Sequence, residues 1–589
     1  MTKRNYKGSL QLDWINKDLS LYYEIDEKEG KGVRPVWVKK NDIRVAEPRI
    51  LRFAKNYGDT TSENMLIKGD NLLILRSLVE MFKGKPDKEK VKCIYIDPPF
   101  NTGNAFQYYD DNLQHSEWLT MMRDRLYLLK KLLKKDGVIF VHIDNDELHY
   151  LKVLMDETFG RENYITTIAM KAKAPSGVAT GSMIFDVSQY LLCYRGQQKP
   201  KVFKNKIIKE IIDESSKTAE QYSLIFDNEG KEGKVVAEYR TKGDGIIKIK
   251  KHLDYTITRV SNGDKNINFY VKNFGRIFRT ATLSGGIEKQ LKKLIPDSGL
   301  YSYVHTPSKG KHAGIPTKFY VYNKEGVLFL KEVAEITEVE NEDGNLVKIP
   351  AKLEIISNIF VDDLWQGIAG EGGVEFQQNK KPEKLIQRLL DLITQRNDLV
   401  LDIFAGSGTT GAVAHKMGRR WLMVEIGRQA EEKIIPRLQR VVAGKDKTGI
   451  SKEINWEGGG GFKYYQLGDS VIHEQDMNWK MKAVDMAEAV FLHFQYRPVK
   501  AEWLEKENMY LGRHQSARYH FALSFASREV KTITEDLYEK IVAGLDKERF
   551  KHLTIFTNVA VAVPPDSFDK EKILVKKIPA AILREYNLL

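Results

Sequence analysis

Nine residues, "YIDPPFNTG" from Tyr95 to Gly103, place an acid, two prolines and an aromatic ring directly after a strand-forming run. A proline fixes its own φ and restrains the residue before it, so Asp97 and Pro98 have little freedom. The Asp97 carboxylate and the Pro98 carbonyl oxygen would form a rigid pair of acceptors, suited to a planar amine whose lone pair faces an electrophile. Phe100 offers a flat face on which a base could stack, worth roughly 1–3 kcal/mol. Because Asp-Pro-Pro also favours an ordinary turn, this motif alone does not establish a site.

A second motif, "LDIFAGSGTTGAV", ends a strand and opens a helix through closely spaced glycines. Glycines let the backbone pass close to a ligand, and free amides at a helix start can receive an anionic group. Glu425 ends the next strand, 19 positions after Gly406, where an acid can bind ribose hydroxyls. Gly406, Gly408 and Gly411 also satisfy G-x-G-x-x-G. The loop therefore fits a nicotinamide dehydrogenase, an enzyme with an adenosyl cofactor, or a structural turn.

Strands and helices alternate around both motifs, which predicts an α/β fold with a parallel sheet covered on both faces. "VKCIYI" and "VIFVHI" are typical of buried strands, with a helix expected between them from Ser116 to a stop at Gly137. The alternation stops near Gly196 and resumes with "KPEKLIQRLLDLIT". We predict an irregular N-terminal arm (1–60), the first half of the α/β domain (61–196), an inserted domain (197–360), the second half (361–445) and, after a Gly-rich hinge, a C-terminal domain of mixed type (458–589).

The composition limits the classes of protein that remain. A chain of 589 residues predicts two to four domains. A net charge of +13 and a pI near 9.1 favour a partner with many negative charges, such as nucleic acid. Cys93 and Cys193 are the only cysteines, which excludes a disulfide framework and a thiolate zinc site. The N-terminus lacks the apolar core of a signal peptide, and no apolar run is long enough for a bilayer, so we expect a cytoplasmic protein outside the membrane.

Further motifs stand in order along the chain: "IKGDNLL", "DGVIFVHIDNDE", "FRTA", "QNKKPEKLI" and "GGGGFKYYQLG". With "DPPF" placed before "DIFAGSGTT", the chain resembles DNA amino-methyltransferases of the β class, and within them the Mod subunits of type III restriction-modification systems. The resemblance implies a circularly permuted, Rossmann-like methyltransferase fold with an inserted target recognition domain. It also implies methyl transfer from S-adenosyl-L-methionine to N6 of a flipped adenine in double-stranded DNA. The partners it implies are a second copy of the chain and a Res helicase/endonuclease subunit.

The resemblance also assigns roles to single residues. Asp402 matches an acid near the methionine amino group of the cofactor, and Glu425 matches an acid at its ribose. Asp70 matches an acid near the cofactor adenine, and Lys381 and Pro382 match a segment that flanks the cofactor carboxylate. No metal is implied, and His115 and His142 are expected to be structural. The catalytic candidates are Asp97, Pro98, Pro99 and Phe100; the cofactor-binding candidates are Asp70, Lys381, Pro382, Asp402, Phe404, Gly406, Gly408, Thr409 and Glu425; the DNA-binding candidates are Arg276, Arg279, Lys309 and Lys311.

Four alternatives stay open at this point. The chain could be a solitary DNA methyltransferase without a restriction partner. It could methylate N4 of cytosine, although that class more often has Ser in place of Asp97. It could be a subunit that only reads DNA, although Asp97, Gly406 and Glu425 argue against a decayed pocket. A nicotinamide dehydrogenase is disfavoured by the DPPF motif and by the basic insert.

Overall fold

The computed structural model describes most of the chain, in ranges separated by gaps. The chain folds into two compact units, one formed by residues 1–204 and 357–589 and the other by residues 205–356. Within the described residues no helix is both long and apolar enough to cross a membrane. The described ranges are 10–25, 33–101, 114–172, 187–200, 206–241, 245–261, 265–283, 286–307, 314–340, 346–362, 364–375, 380–473, 476–499, 509–525, 534–536, 539, 543, 551–558 and 572–585.

A ten-stranded sheet forms the centre of the first unit, in the order β7-β5-β6-β4-β3-β8-β9-β2-β10-β1. Strands β6 and β1 run antiparallel to their neighbours, and the other pairings are parallel. The strands are β1 (Leu51–Gly58), β2 (Met65–Lys68), β3 (Val91–Ile96), β4 (Leu133–Ile143), β5 (Tyr164–Lys171), β6 (Ser188–Arg195), β7 (Ile359–Phe360), β8 (Leu399–Asp402), β9 (Arg420–Glu425) and β10 (Gly461–Leu467). The longer helices around it are α1 (Asn71–Phe82), α2 (His115–Leu132), α3 (Asn145–Phe159), α4 (Glu383–Ile393), α5 (Thr409–Lys416) and α6 (Ile435–Val442).

The strand order confirms the predicted α/β class and its permuted connectivity. Strands β8 and β9 lie between β3 and β2, although the inserted unit separates them from both in the chain. Every residue of β3 and β8 is buried, as expected for strands covered on both faces of a parallel sheet. The two sequence halves therefore build one sheet.

The turn from α2 into β4 differs from the prediction. The helix ends at Leu132 rather than near Gly137, and β4 begins at the next residue. Leu133 pairs with Val91 of β3, which keeps this stretch extended. A Cβ on Gly137 would lie 2.9 Å from the main-chain oxygen of Lys92, so glycine serves close strand approach there instead of ending a helix.

The N-terminal segment was predicted to be irregular, and this prediction is wrong. It contains an antiparallel hairpin of Leu19–Ile25 and Val33–Lys39, followed by the short helix Ile43–Ala46. Arg123 of α2 donates to the main-chain oxygen of Leu19 at 2.6 Å. Such contacts with a distant helix, which a local sequence pattern does not contain, stabilise the hairpin.

The C-terminal part contributes to two sheets. Strand β10, which the sequence analysis assigned to the C-terminal domain, pairs with β1 and β2 in the central sheet. Among the residues that the structure describes, the remaining part forms a five-stranded mixed sheet of Tyr496–Val499, Met509–His514, His520–Phe525, His552–Thr557 and Ile573–Lys577. It also contains a short hairpin of Ile472–His473 and Asp476–Met477, and the helices Ala483–His493 and Ala580–Glu585.

The second unit is mostly antiparallel sheet, with buried cores of its own around Tyr270 and Tyr301. Its strands form an eight-stranded sheet and a separate three-stranded sheet, and Lys206–Ile211 is an outer strand of the three-stranded sheet. The other strands are Leu224–Asn228, Lys231–Arg240, Ile246–Leu253, Thr256–Arg259, Ile277–Ala281, Leu300–His305, Thr317–Tyr322, Glu325–Phe329, Glu335–Glu340 and Leu346–Ile355, and the helices are Lys217–Gln221, Ile267–Asn273 and Gly286–Leu294.

A buried ion pair at the start of β3 gives the first prediction. The Lys92 ammonium donates to the Asp136 carboxylate and to its main-chain oxygen, both at 2.8 Å. Lys92→Met would remove the nearer ammonium from a buried carboxylate, and the Lys134 ammonium, 3.9 Å from Asp136 Oδ1, would offset this only in part, so we expect a loss of about 3–5 kcal/mol in urea denaturation. Lys83→Met removes a solvent-exposed partner of Glu80 and should cost less than about 1 kcal/mol. Equal losses in the two variants would contradict the assignment.

Candidate active site

The two motifs singled out in the sequence meet at one edge of the central sheet. Strands β3 and β8 are hydrogen-bonded neighbours, with Cys93 opposite Val400 and Ile94 opposite Leu401. Asp97 follows the carboxyl end of β3, and Asp402 ends β8. The carboxyl ends of parallel strands are where open α/β sheets bind ligands.

Asp97 forms an ion pair with Lys381. The Lys381 ammonium lies 2.7 Å from Asp97 Oδ2, and the two side chains are 6% and 18% exposed, respectively. The same ammonium lies 4.7 Å from the centroid of the Phe100 ring. The sequence analysis placed Lys381 near a cofactor carboxylate, which stays a prediction. Its contact with two catalytic candidates was not anticipated.

The rest of the DPPF segment is fixed by buried neighbours. The Pro99 carbonyl accepts a hydrogen bond from Trp118 Nε1 at 2.7 Å. The Phe100 ring lies 5.7 Å from that of His142. His142 Nδ1 lies 2.9 Å from the Tyr95 hydroxyl. Burial holds the pKa of His142 well below its usual value, so this imidazole is a neutral packing partner.

The glycine loop between β8 and α5 is closed by a carboxylate. The Gly406 amide donates to Oε2 of Glu425, the last residue of the neighbouring strand β9, at 2.7 Å. Gly406 and Gly408 have φ values of 53° and 77°, which favour glycine. A Cβ on Gly411 would lie 2.3 Å from Met423 Cε, so the third glycine serves helix-to-strand packing.

The side chains of Asp402 and Glu425 are buried beside this loop, and burial disfavours the ionised form of both carboxyl groups. The pKa of Asp402 is raised to about 7, mainly by burial and in smaller part by the charges of Asp97 and Glu425, while the hydrogen bonds it accepts act in the opposite direction. Those bonds come from the Thr410 hydroxyl at 2.6 Å and the Phe404 amide at 2.9 Å. Burial likewise raises the pKa of Glu425 to about 7. A cationic ligand group near Asp402 would favour its ionised form.

Asp70 has a structural position that the sequence analysis missed. Its carboxylate caps α1 by accepting from the Leu73 amide at 3.1 Å, and it accepts from the buried Arg125 guanidinium at 3.1 Å. Asn71 donates to the main-chain oxygen of Ile403 at 2.9 Å, which ties this helix start to the end of β8. The role of Asp70 near a cofactor adenine stays a prediction.

Thr409 is held by a buried network that no motif indicated. Arg437 Nη1 donates to the Thr409 hydroxyl at 2.8 Å, and Arg437 Nη2 donates to Glu383 at 2.8 Å. Lys416 pairs with Glu383 at 2.7 Å and with Asp446 at 2.8 Å, and all four charged side chains have zero exposure. Pro382 stands directly before α4, where Glu383 is the first helical residue. Arg437 lies in an ordinary amphipathic stretch, so only its three-dimensional contacts reveal this role.

Two of the DNA-binding candidates, Arg276 and Arg279, lie in the second unit. Arg276 is exposed and donates to Asn273 Oδ1 at 2.5 Å. The Arg279 guanidinium lies 5.7 Å from the centroid of the Tyr222 ring, which gives it a packing role. Lys309 and Lys311 lie outside the described residues. The DNA contacts of all four stay predictions.

The site and the sheet have counterparts among known proteins. The chain belongs to the DNA methylase family, whose N6_N4_Mtase model matches residues 91–436. This confirms the methyltransferase family expected from the motifs.

Individual relatives are more specific. The chain is 34% identical over 437 residues to the type III restriction-modification enzyme HindVI Mod subunit of Haemophilus influenzae, covering 70% of this chain and 55% of that protein. It is 27% identical over 439 residues to the StyLTI Mod subunit of Salmonella typhimurium, covering 68% and 55%. The chain thus spans about half the length of these relatives. PvuII DNA methyltransferase (cytosine-N4-specific) matches at a TM-score of 0.31 and 14% identity, covering 68% of this chain and 94% of that one, which is too distant to carry an argument.

The raised pKa of Asp402 predicts a pH-dependent stability. Its stabilising contribution is complete below the unfolded pKa of about 3.9 and is lost as the pH rises through about 7. Asp402→Asn cannot ionise, so the variant should gain thermal stability relative to the wild type between about pH 5 and pH 8. Melting temperatures across this range test the prediction.

Asp59→Asn is the control, because hydrogen bonds from Thr61 lower the pKa of Asp59 and keep it ionised over this range. The difference between this variant and the wild type should stay constant. A constant difference for Asp402→Asn as well would contradict the burial of a titrating carboxyl at β8.

Proposed function

We propose that the protein is a site-specific DNA methyltransferase that transfers a methyl group from S-adenosyl-L-methionine to N6 of a flipped adenine in double-stranded DNA. We further propose that it is the Mod subunit of a type III restriction-modification system, acting in the cytoplasm as a homodimer with a Res helicase/endonuclease. The observation that carries the proposal is the meeting of Asp97 and Asp402 at the ends of β3 and β8 in a DNA methylase. The similarity to two Mod subunits of type III systems favours a Mod subunit over a solitary enzyme.

The residues near the glycine loop suit the proposed cofactor. Gly406 and Gly408 leave the backbone open to close approach, Asp402 suits a methionine ammonium group, and Glu425 suits ribose hydroxyls. Two buried carboxylates also favour a ligand that carries positive charge. When bound, S-adenosyl-L-methionine supplies an electrophilic methyl group.

The DPPF segment would orient the acceptor. The base must leave the helix to reach this pocket, at a cost of a few kcal/mol. Asp97 and the Pro98 carbonyl would accept the two N6 hydrogens, which directs the nitrogen lone pair, and Phe100 would stack on the ring. Positioning contributes most of the acceleration under this scheme, because effective molarity is the main gain from fixed reactants.

Asp97→Ala tests the catalytic assignment. We expect methyl transfer to DNA to fall by at least about a thousandfold, because the anionic acceptor that orients the amine is lost. Calorimetric binding of S-adenosyl-L-methionine should survive. Asp18→Ala, at a fully exposed side chain, serves as the control and should stay active. A fully active Asp97→Ala variant would reject the role given to this carboxylate.

Sequencing the DNA of an expressing host for modified bases tests the wider proposal. N6-methyladenine on one strand of an asymmetric site is the result expected of a type III Mod subunit. Modification of both strands of a palindrome would favour a solitary enzyme, and N4-methylcytosine would overturn the adenine assignment. Absence of any modified base, together with no heat of cofactor binding, would leave a subunit that only reads DNA.

A further inference from the structure

The Lys381 ammonium lies where the proposed function puts the amine of the target base. It donates to Asp97 Oδ2 at 2.7 Å, and it lies 4.7 Å from the Phe100 ring centroid. A base stacked on the face of Phe100 that the ammonium covers would have its centroid at about 4.5–7 Å, so ammonium and base would require overlapping space there. One carboxylate oxygen and one aromatic ring are thus already engaged by a side chain.

Phe100 is only 8% exposed, so a base can stack on its ring only if a neighbour gives way. His142 also contacts this ring, but both of its nitrogens are engaged, at 2.9 Å from the Tyr95 hydroxyl and 2.8 Å from Gln189 Oε1. Lysine, in contrast, carries its charge on a flexible four-carbon stem. Lys381 is therefore the neighbour that can move.

The main chain beside Lys381 is fixed. The Lys380 ammonium donates to three main-chain oxygens, those of Ala369, Glu371 and Val374, at 2.7–3.2 Å. On the other side, the Glu383 amide donates to Glu371 Oε2 at 3.0 Å. These contacts hold the segment on both sides of Lys381, so displacement of its side chain need not disturb α4.

We propose that Lys381 is a placeholder for the target amine: its ammonium occupies the base site of the free enzyme and is displaced by the extruded base. This inference rests on the proposed function. An exocyclic amine of adenine or cytosine can replace the ammonium as a donor to Asp97. A keto oxygen of guanine, thymine or hypoxanthine would face the carboxylate as a second acceptor and cannot. The exchange therefore selects, before any chemistry occurs, for bases that carry an amine where guanine, thymine and hypoxanthine carry a keto oxygen.

Matched duplexes test the exchange. They carry the recognition site found by methylation sequencing, with adenine, hypoxanthine or an abasic site at the target position. Binding is measured by fluorescence anisotropy with S-adenosylhomocysteine present, and the quantity compared is the ratio of Kd for abasic DNA to Kd for adenine DNA. This ratio cancels any contact of Lys381 with phosphates.

In the Lys381→Met variant the extruded base has no ammonium to displace. The ratio of Kd values should therefore rise roughly three- to tenfold over the wild type, as expected for loss of a partly buried ion pair. Lys381→Arg keeps the charge and should stay within about twofold of the wild type. Hypoxanthine DNA should bind no tighter than abasic DNA in the wild type.

An unchanged or lower ratio in Lys381→Met would overturn the proposal, as would a selective loss of cofactor affinity without a change in the ratio. If the Met variant does not fold, as judged by its melting temperature, Lys381→Gln is measured in the same way and decides the question. Failure of the proposed function itself is distinguishable, because wild-type protein would then transfer no methyl group to DNA.

Discussion

The site depends on two buried parallel strands that end side by side. Strands β3 and β8 come from sequence halves separated by the inserted unit, and their pairing sets the distance between Asp97 and Asp402. The two carboxylates at this edge of the sheet repel each other, so each raises the free energy of the other in its ionised form. Lys381 offsets the charge on Asp97, and the Thr410 hydroxyl supports Asp402. The strands therefore hold together groups whose charges alone would keep them apart.

The free protein thus contains a polarised edge that a cation can complete. Under the proposed function, a sulfonium ligand and an amine donor would each meet a carboxylate there, and neither has to create the arrangement. Such preorganisation lowers the entropic cost of aligning two reactants. It also explains why the stability of the free chain and its affinity for a cationic ligand should respond in opposite directions as Asp402 ionises.

The sequence predicted those features that depend on local hydrophobic patterns or on the spacing of motif residues. Buried strand runs predicted β3 and β4, and glycine spacing with Glu425 predicted the loop that the Gly406 amide closes. Long-range contacts were not predictable in this way. The N-terminal hairpin depends on α2, and the end of that helix is decided by pairing of Leu133 with Val91. The Lys381 contact with Asp97 was missed because 284 positions separate the two residues in the chain.

The buried network of Glu383, Lys416, Asp446 and Arg437 has an evolutionary consequence. Its four charges come from three helices and a following loop, and none is exposed to water. Replacing any one of them leaves the interior with an unbalanced charge, a loss of several kcal/mol that a marginally stable protein does not tolerate. Substitution at these positions should therefore be strongly epistatic: neutral only when partners change together. We expect surface positions to vary freely among homologues, whereas these four residues should be conserved or replaced together.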